Sequence, residues 1–213
     1  TSPSFRVLGN LTMSVGDGTN TLVTGGGLLH VGGNLSFTGG KGDDTLVSSN
    51  TTLVVGKVFS MIAGDGASNT VVLQGAGGSI GAVTYKGGAG GDALVLGNSN
   101  GTTTTQLTIN GGVTAAMGAG AAILRMTDTL LNGPLSVLMA GTAAQTDEVT
   151  LNQSTFNGLI NITQGAGASM LGVHDSFMRG NFTARLGAGA DTLNLDTEAG
   201  TASGAAELAT PDG

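Results

Sequence analysis

Three aspartates, each closing a glycine-rich stretch, are the residues best placed to do chemistry in this chain. Asp44 ends Gly39-Gly40-Lys41-Gly42-Asp43-Asp44, and Asp92 ends Gly87-Gly88-Ala89-Gly90-Gly91-Asp92. Asp191 ends the shorter Gly187-Ala188-Gly189-Ala190-Asp191. A carboxylate beside a sharply bent backbone can offer oxygen to a hard cation such as Ca2+, which wants six to eight oxygen ligands. One carboxylate per stretch falls short of that number. The same pattern suits an Asp that closes a tight turn with its own side chain, and this is the favoured reading. Equivalent positions elsewhere hold Asn20, Asn69 and Ser169, and the turn before Asp147 has lost most of its glycines. No metal site is therefore assigned. Asp44, Asp92 and Asp191 stand as the Ca2+ candidates, and no other cofactor is expected.

Groups for acid–base catalysis are sparse. His30 and His174 lie far apart in the chain, and the adjacent acidic pairs are Asp43-Asp44 and Asp147-Glu148. Asp191 and Asp196, with Arg185 close in sequence, form the best grouping for general acid–base work on a polysaccharide. No catalytic residue is assigned, and the chain is expected not to be an enzyme. One further pattern is a set of small polar residues: Thr12, Ser36, Thr84, Thr114, Ser136 and Thr183, with Asn161. They recur at one place in a repeat and so point to a column of hydroxyls on one surface.

The repeat is what must position all of these. Gly9-Asn10-Leu11-Thr12-Met13 returns as Gly33-Asn34-Leu35-Ser36-Phe37, and again from Gly81, Gly111, Gly133 and Gly180. Looser copies start at Gly56 and Gly158. A fixed period of this length marks a solenoid. Each copy holds three short segments with period-two alternation, separated by turn residues, which is the signature of strands. The expected fold is all-β: a single-stranded parallel β-helix, right-handed, of about eight three-strand coils over residues 1–196. An excursion is expected at 97–106 and a tail or linker at 197–213. Stacking should place Leu11, Leu35, Val58, Val83, Val113, Leu135, Ile160 and Phe182 in one interior column. A second column should hold Leu22, Leu46, Val71, Leu94, Val149, Leu171 and Leu193, with Ile123 or Leu124 filling its gap. Asn110, Asn132 and Asn157 precede corner glycines; they either form an amide ladder or merely tolerate a left-handed backbone.

Composition narrows the function. Glycine accounts for 40 of 213 residues, yet hydrophobic residues reach 39% and fall at regular places, which argues against disorder. The net charge of −7 comes without a basic stripe, so nucleic-acid binding is not expected. No apolar run is long enough to cross a membrane, and no membrane insertion is expected. Cysteine is absent, which rules out disulfides and thiolate metal sites. Beginning with Thr1 suits a processed product or an excised fragment.

Resemblances add to this. The two Gly-Gly-x-Gly-x-Asp-x-Leu stretches resemble the nonapeptides of RTX calcium-binding β-rolls, which implies Ca2+ held at the turns. In that family the nonapeptides follow one another directly, whereas here they occur once per coil. The hydroxyl column resembles the ice-binding face of some β-solenoids. Its neighbouring outward column, Ser14, Thr38, Lys86, Ala116, Leu138, Thr163 and Arg185, is irregular for such a face. Across residues 5–196 the repeat is similar to the low-charge, Gly/Thr-rich β-helices of large bacterial surface proteins, such as adhesins and autotransporter passengers. That similarity implies a non-enzymatic, extracellular structural rod, either a segment of a surface protein or a subunit stacking end to end. A calcium-stabilised module, an ice-binding solenoid and a polysaccharide-binding or -cleaving β-helix are the alternatives. Partners would be another copy, the continuation of a longer chain, or surface glycans.

Overall fold

Alternation of aliphatic and polar residues becomes alternation of burial. The strand Leu135–Met139 runs buried, exposed, buried, exposed, buried, because successive side chains of a strand point to opposite faces. In the computed structural model, which describes residues 4–75, 77–98 and 106–196, such strands stack into a parallel β-solenoid of about eight coils. Every strand pairing is parallel, and each strand bonds to its counterpart about one coil away.

Each coil has three faces. The first face carries Leu11–Ser14, Leu35–Thr38, Val113–Met117, Leu135–Met139, Ile160–Thr163 and Phe182–Arg185. The second carries Ser68–Gly75, Gly91–Gly97, Ala122–Thr127, Thr146–Asn152, Ala168–His174 and Thr192–Asp196. On the third lie Ser4–Val7, Leu107–Ile109, Thr129–Leu131, Thr155–Phe156 and Phe177–Met178. Three longer strands, Asn20–Val31, Asp44–Ile62 and Ser79–Lys86, run through corners without interruption. Counting from the third-face strand, the first coil opens at Ser4 and the eighth at Phe177.

The interior is one continuous stack of aliphatic and aromatic side chains. On the first face the column is Leu11, Leu35, Phe59, Val83, Val113, Leu135, Ile160 and Phe182. The expected Val58 is replaced by Phe59. Gly56 stacks on Gly32 rather than on Gly33, so Lys57 takes the corner position that glycine holds elsewhere. The fourth coil then turns its corner with one residue fewer, and the register shifts between Val55 and Val58. On the second face the column follows expectation, and Leu124, fully buried, fills the open position while Ile123 points outward. Burying such a side chain fully is worth about 1.5–3 kcal/mol, so each coil is held chiefly by its neighbours' aliphatic surface.

Glycine is needed at the corners for two separate reasons. Gly42 has φ of 117°, a left-handed conformation that side chains disfavour. Gly64 lies outside the left-handed region, but a Cβ there would overlap the carbonyl oxygen of Gly40 in the preceding coil. The expected excursion at 97–106 falls mostly, and the expected tail at 197–213 wholly, outside the described residues. No helix among the described residues is long and apolar enough to cross a membrane.

Candidate functional site

Of the aspartates singled out by their glycine-rich turns, Asp44 and Asp92 are buried inside the solenoid, while Asp191, in the last described coil, is exposed. Successive coils place Asn20, Asp44, Asn69, Asp92, Ala122, Asp147, Ser169 and Asp191 in one register column at the start of the second face. Asp44, Asn69, Asp92, Asp147 and Ser169 are all at most 2% exposed. Carboxylates therefore occupy the even coils and neutral residues the odd ones. The alternation keeps any two of these charges two coils apart, about 10 Å from the spacing of stacked strands. Adjacent buried carboxylates would force one another to stay protonated.

Between the carboxylates the neutral groups act as donors. Asn20 Nδ2 donates to Asp44 Oδ1 at 2.9 Å, and Asn69 Nδ2 donates to Asp92 Oδ1 at 3.1 Å. In the same sense, backbone N–H groups donate to the side chain of the following coil. Asp44 N–H reaches Asn69 Oδ1 at 3.0 Å, Ala122 N–H reaches Asp147 Oδ1 at 3.1 Å, and Ser169 N–H reaches Asp191 Oδ1 at 3.1 Å. The column is thus a ladder whose rungs are inter-coil hydrogen bonds, most of them accepted by carboxylate oxygens. Corner glycines supply more donors: Gly118 N–H reaches Asp92 Oδ2 at 2.9 Å and Gly165 N–H reaches Asp147 Oδ2 at 3.3 Å. Tyr85 adds its hydroxyl, donating to Asp92 Oδ1 at 3.1 Å. Burial, reinforced by the Asp92 charge and by this hydrogen bond, pushes the Tyr85 phenol far above its ordinary value. Asp44 Oδ2 alone of these oxygens is buried without a partner, and it lies where a Cβ on Gly39 would sit.

For calcium, this donor set is a poor fit. Both oxygens of Asp92 and of Asp147 already accept N–H hydrogens, which a cation would have to displace. Among the described residues no three His, Cys, Asp or Glu side chains gather closely enough to hold a metal ion. The hydrogen bonds of Asp92 and Asp147 run chiefly to neighbouring coils, whereas Asn20 and Asn69 also donate within their own turns, to the carbonyls of Gly16 and Gly18 and of Gly64.

The remaining candidates stay dispersed. His30 belongs to the second coil and His174 to the seventh. Asp43 accepts from Ser68 N–H at the surface, and Glu148 pairs with Arg125 at 2.9 Å on the outer second face. That pair and its hydrogen bond hold the Glu148 carboxyl below its usual range. In the suggested acid–base grouping, Asp191 is engaged by Ser169 N–H, Arg185 is exposed on the first face, and the Asp196 side chain lies outside the described ones. The hydroxyl column is in register as expected, Thr12, Ser36, Thr84, Thr114, Ser136 and Thr183 with Asn161, and Ser60 completes it. Ile62 joins its neighbouring column between Thr38 and Lys86.

Asparagines form ladders at the next corner too. Asn157 Nδ2 donates to Asn132 Oδ1 at 2.8 Å, so the expected amide ladder exists at that pair. On the other side of the corner glycine, Asn34 N–H donates to Asn10 Oδ1 at 2.8 Å and Val58 N–H to Asn34 Oδ1 at 3.1 Å.

Two arrangements escaped the sequence reading. Thr129, Ser154 and Ser176 form a hydroxyl ladder inside the third face: Thr129 N–H donates to Ser154 Oγ and Ser154 N–H to Ser176 Oγ. Each follows a non-glycine residue in the left-handed region, Asp128, Gln153 and Asp175. The recurring pairs Asp-Thr, Gln-Ser and Asp-Ser were the available signal. On the outer second face, Thr21, Thr45 and Thr70 stack beside Val23, Val47, Val72 and Val95. The triplets Thr-Leu-Val, Thr-Leu-Val and Thr-Val-Val carry that stripe in the sequence.

Fold and ladder together define the class: a parallel β-solenoid with a buried polar ladder of alternating charge. Comparison with protein-family models, with curated proteins and with solved structures gives no match.

Proposed function

We propose that this chain is a non-enzymatic structural rod, a module of an extracellular or cell-surface bacterial protein of the adhesin or autotransporter-passenger kind, joined through its ends to more solenoid. One observation carries the reading. Among the described residues, the first and last coils have strands paired on one side only and aliphatic columns half covered. At the start, Phe5 is 57% exposed and Leu8 79% exposed, while Leu11, Met13 and Leu22 are only partly buried. At the other end Leu193 is 41% exposed, and Phe182, Ala184 and Leu195 are partly buried. Such ends favour further strands over water. The ladder supports the same reading, since its carboxylates serve inter-coil hydrogen bonds. Low charge and absence of cysteine suit a rod outside the cell.

Sedimentation velocity over rising concentration, with electron microscopy of the same samples, tests the reading. Rods should lengthen in multiples of one molecule, roughly 40 Å for eight coils at the spacing of stacked strands. Folded particles that stay monomeric at high concentration would overturn it.

A further inference from the structure

We propose that the open face of the coil beginning at Ser4 is a socket for the coil beginning at Phe177 of a second copy, in a head-to-tail register set by two polar ladders. This rests on the structural-rod reading and adds the partner and the register. The opening coils enclose an apolar cavity of about 280 Å³ that reaches from Phe5 and Leu11 to Leu73. It exists because Thr24 and Ser48 are small where later coils carry Leu73, Leu96 and Met126 in the same column. Continuing the register past the eighth coil sets Phe182 against Leu11, Leu193 against Leu22 and Leu195 against Thr24. A large aromatic and two leucines then close the mouth of that cavity.

The asparagine ladder singles out this junction. Its column reads Asn10, Asn34, Val58, Ala82, Gly112, Pro134, Leu159 and Asn181. Asparagine occurs in the first two coils, is lost through five, and returns in the last. In every bond the side chain accepts from the backbone N–H of the following coil. Within one molecule no described coil follows Asn181. In the stack, Asn181 Oδ1 accepts from Asn10 N–H of the next copy, and three asparagines become contiguous.

The aspartate ladder independently gives the same register. Its closing residue is Asp191, on an even coil, and its opening residue is Asn20, on an odd one. Head-to-tail stacking therefore preserves the alternation, with Asp191 N–H donating to Asn20 Oδ1 as Asp44 N–H donates to Asn69 Oδ1. On the outer surface the same register sets Arg6 over Phe177, in line with the column that joins Arg6 to His30 and Thr155 to Phe177. An antiparallel, end-to-like-end contact would align neither ladder.

Cysteine cross-linking tests this on the full chain, which has no cysteine of its own. Thr12 and Thr183 are outward positions of one column, so the junction brings them to about 4.8 Å, the spacing of paired strands, within disulfide reach. Under oxidation Thr12→Cys/Thr183→Cys should give a ladder of covalent multimers, while Thr12→Cys/Arg185→Cys, two residues out of register, should associate without forming covalent multimers. Asn181→Ala should weaken association of the uncross-linked chain about tenfold, one hydrogen bond's worth. Multimers that grow by sedimentation yet cross-link only in the Thr12/Arg185 pairing would overturn the register and leave the rod reading standing. Failure of every variant and of the parent chain to associate would overturn both.

Discussion

Tyr85 and Asp92 show what a single buried contact contributes here. Tyr85 is the chain's one tyrosine, and tryptophan is absent, so its phenol can be followed alone by absorbance. Its hydroxyl donates to a carboxylate 2% exposed, and burial pushes its ionisation far up. A group whose folded pKa is raised stabilises the fold fully below its unfolded value, about 10 for a phenol. That contribution fades as pH rises beyond there, because the unfolded chain can release the proton and the folded one cannot. No tyrosinate absorbance should therefore appear on raising pH past 10 until the rod unfolds, and signal and unfolding should coincide. Tyr85→Phe should cost about 1.5–3 kcal/mol at neutral pH, the range for hydrogen bonds to charged groups. It should also remove the alkaline decline attributable to this residue. A tyrosinate signal that develops while the circular dichroism remains native would refute this account.

At the scale of one column, the third face offers a graded comparison. Ser154 is 2% exposed and its Oγ is the acceptor for Thr129 N–H, itself wholly buried. Replacing Ser154 by Ala strands that donor, and an unsatisfied buried N–H costs about 1–3 kcal/mol. Ser176 plays the same part for Ser154 N–H but is only half-buried, so Ser176→Ala should cost distinctly less. Denaturant midpoints of the two variants check the order; equal losses would mean that the ladder is incidental. This column also marks where the sequence was legible. Strands and aliphatic columns could be read because period-two alternation and a regular corner glycine are each local signals. Val58 was misplaced because one glycine slid to the neighbouring corner position, and a slip of one residue turns every side chain over. The inward aspartates were hidden for another reason. Asp in a glycine-rich turn has the same local pattern whether it faces solvent or the core, and only the equivalence of Asn20, Asn69 and Ser169 hinted at a shared interior role. The Thr129–Ser154–Ser176 ladder gave weaker signals still, since left-handed Asp and Gln residues replace the glycines that would have flagged its corners.

For the molecule as a whole, parity of the coils matters as much as their number. In a solenoid each coil contacts its neighbours alone, so stability is close to a sum over coils and interfaces. Excising 47–71 joins Leu46 to Val72 in register and removes one coil, leaving Asp44 directly against Asp92. Excising 23–71 joins Leu22 to Val72, removes two coils and leaves Asn20 against Asp92. The smaller deletion should be the pH-sensitive one. Adjacent buried carboxylates raise one folded pKa, so its penalty is largest at neutral pH and shrinks as pH falls toward the carboxylate range. The larger deletion should lack that gain on acidification. Thermal unfolding at two pH values compares them, and the same pH response in both would sink the parity rule.

The alternation has a bearing on ancestry. A rod of this kind cannot copy an acid-bearing turn by itself without bringing two anions face to face inside it. The smallest segment whose duplication preserves the strict alternation is a pair, one turn bearing acid and one bearing amide, hydroxyl or methyl. Lengthening by pairs would leave a faint double period beneath the obvious one, and Asn20-Asp44 followed by Asn69-Asp92 has that form.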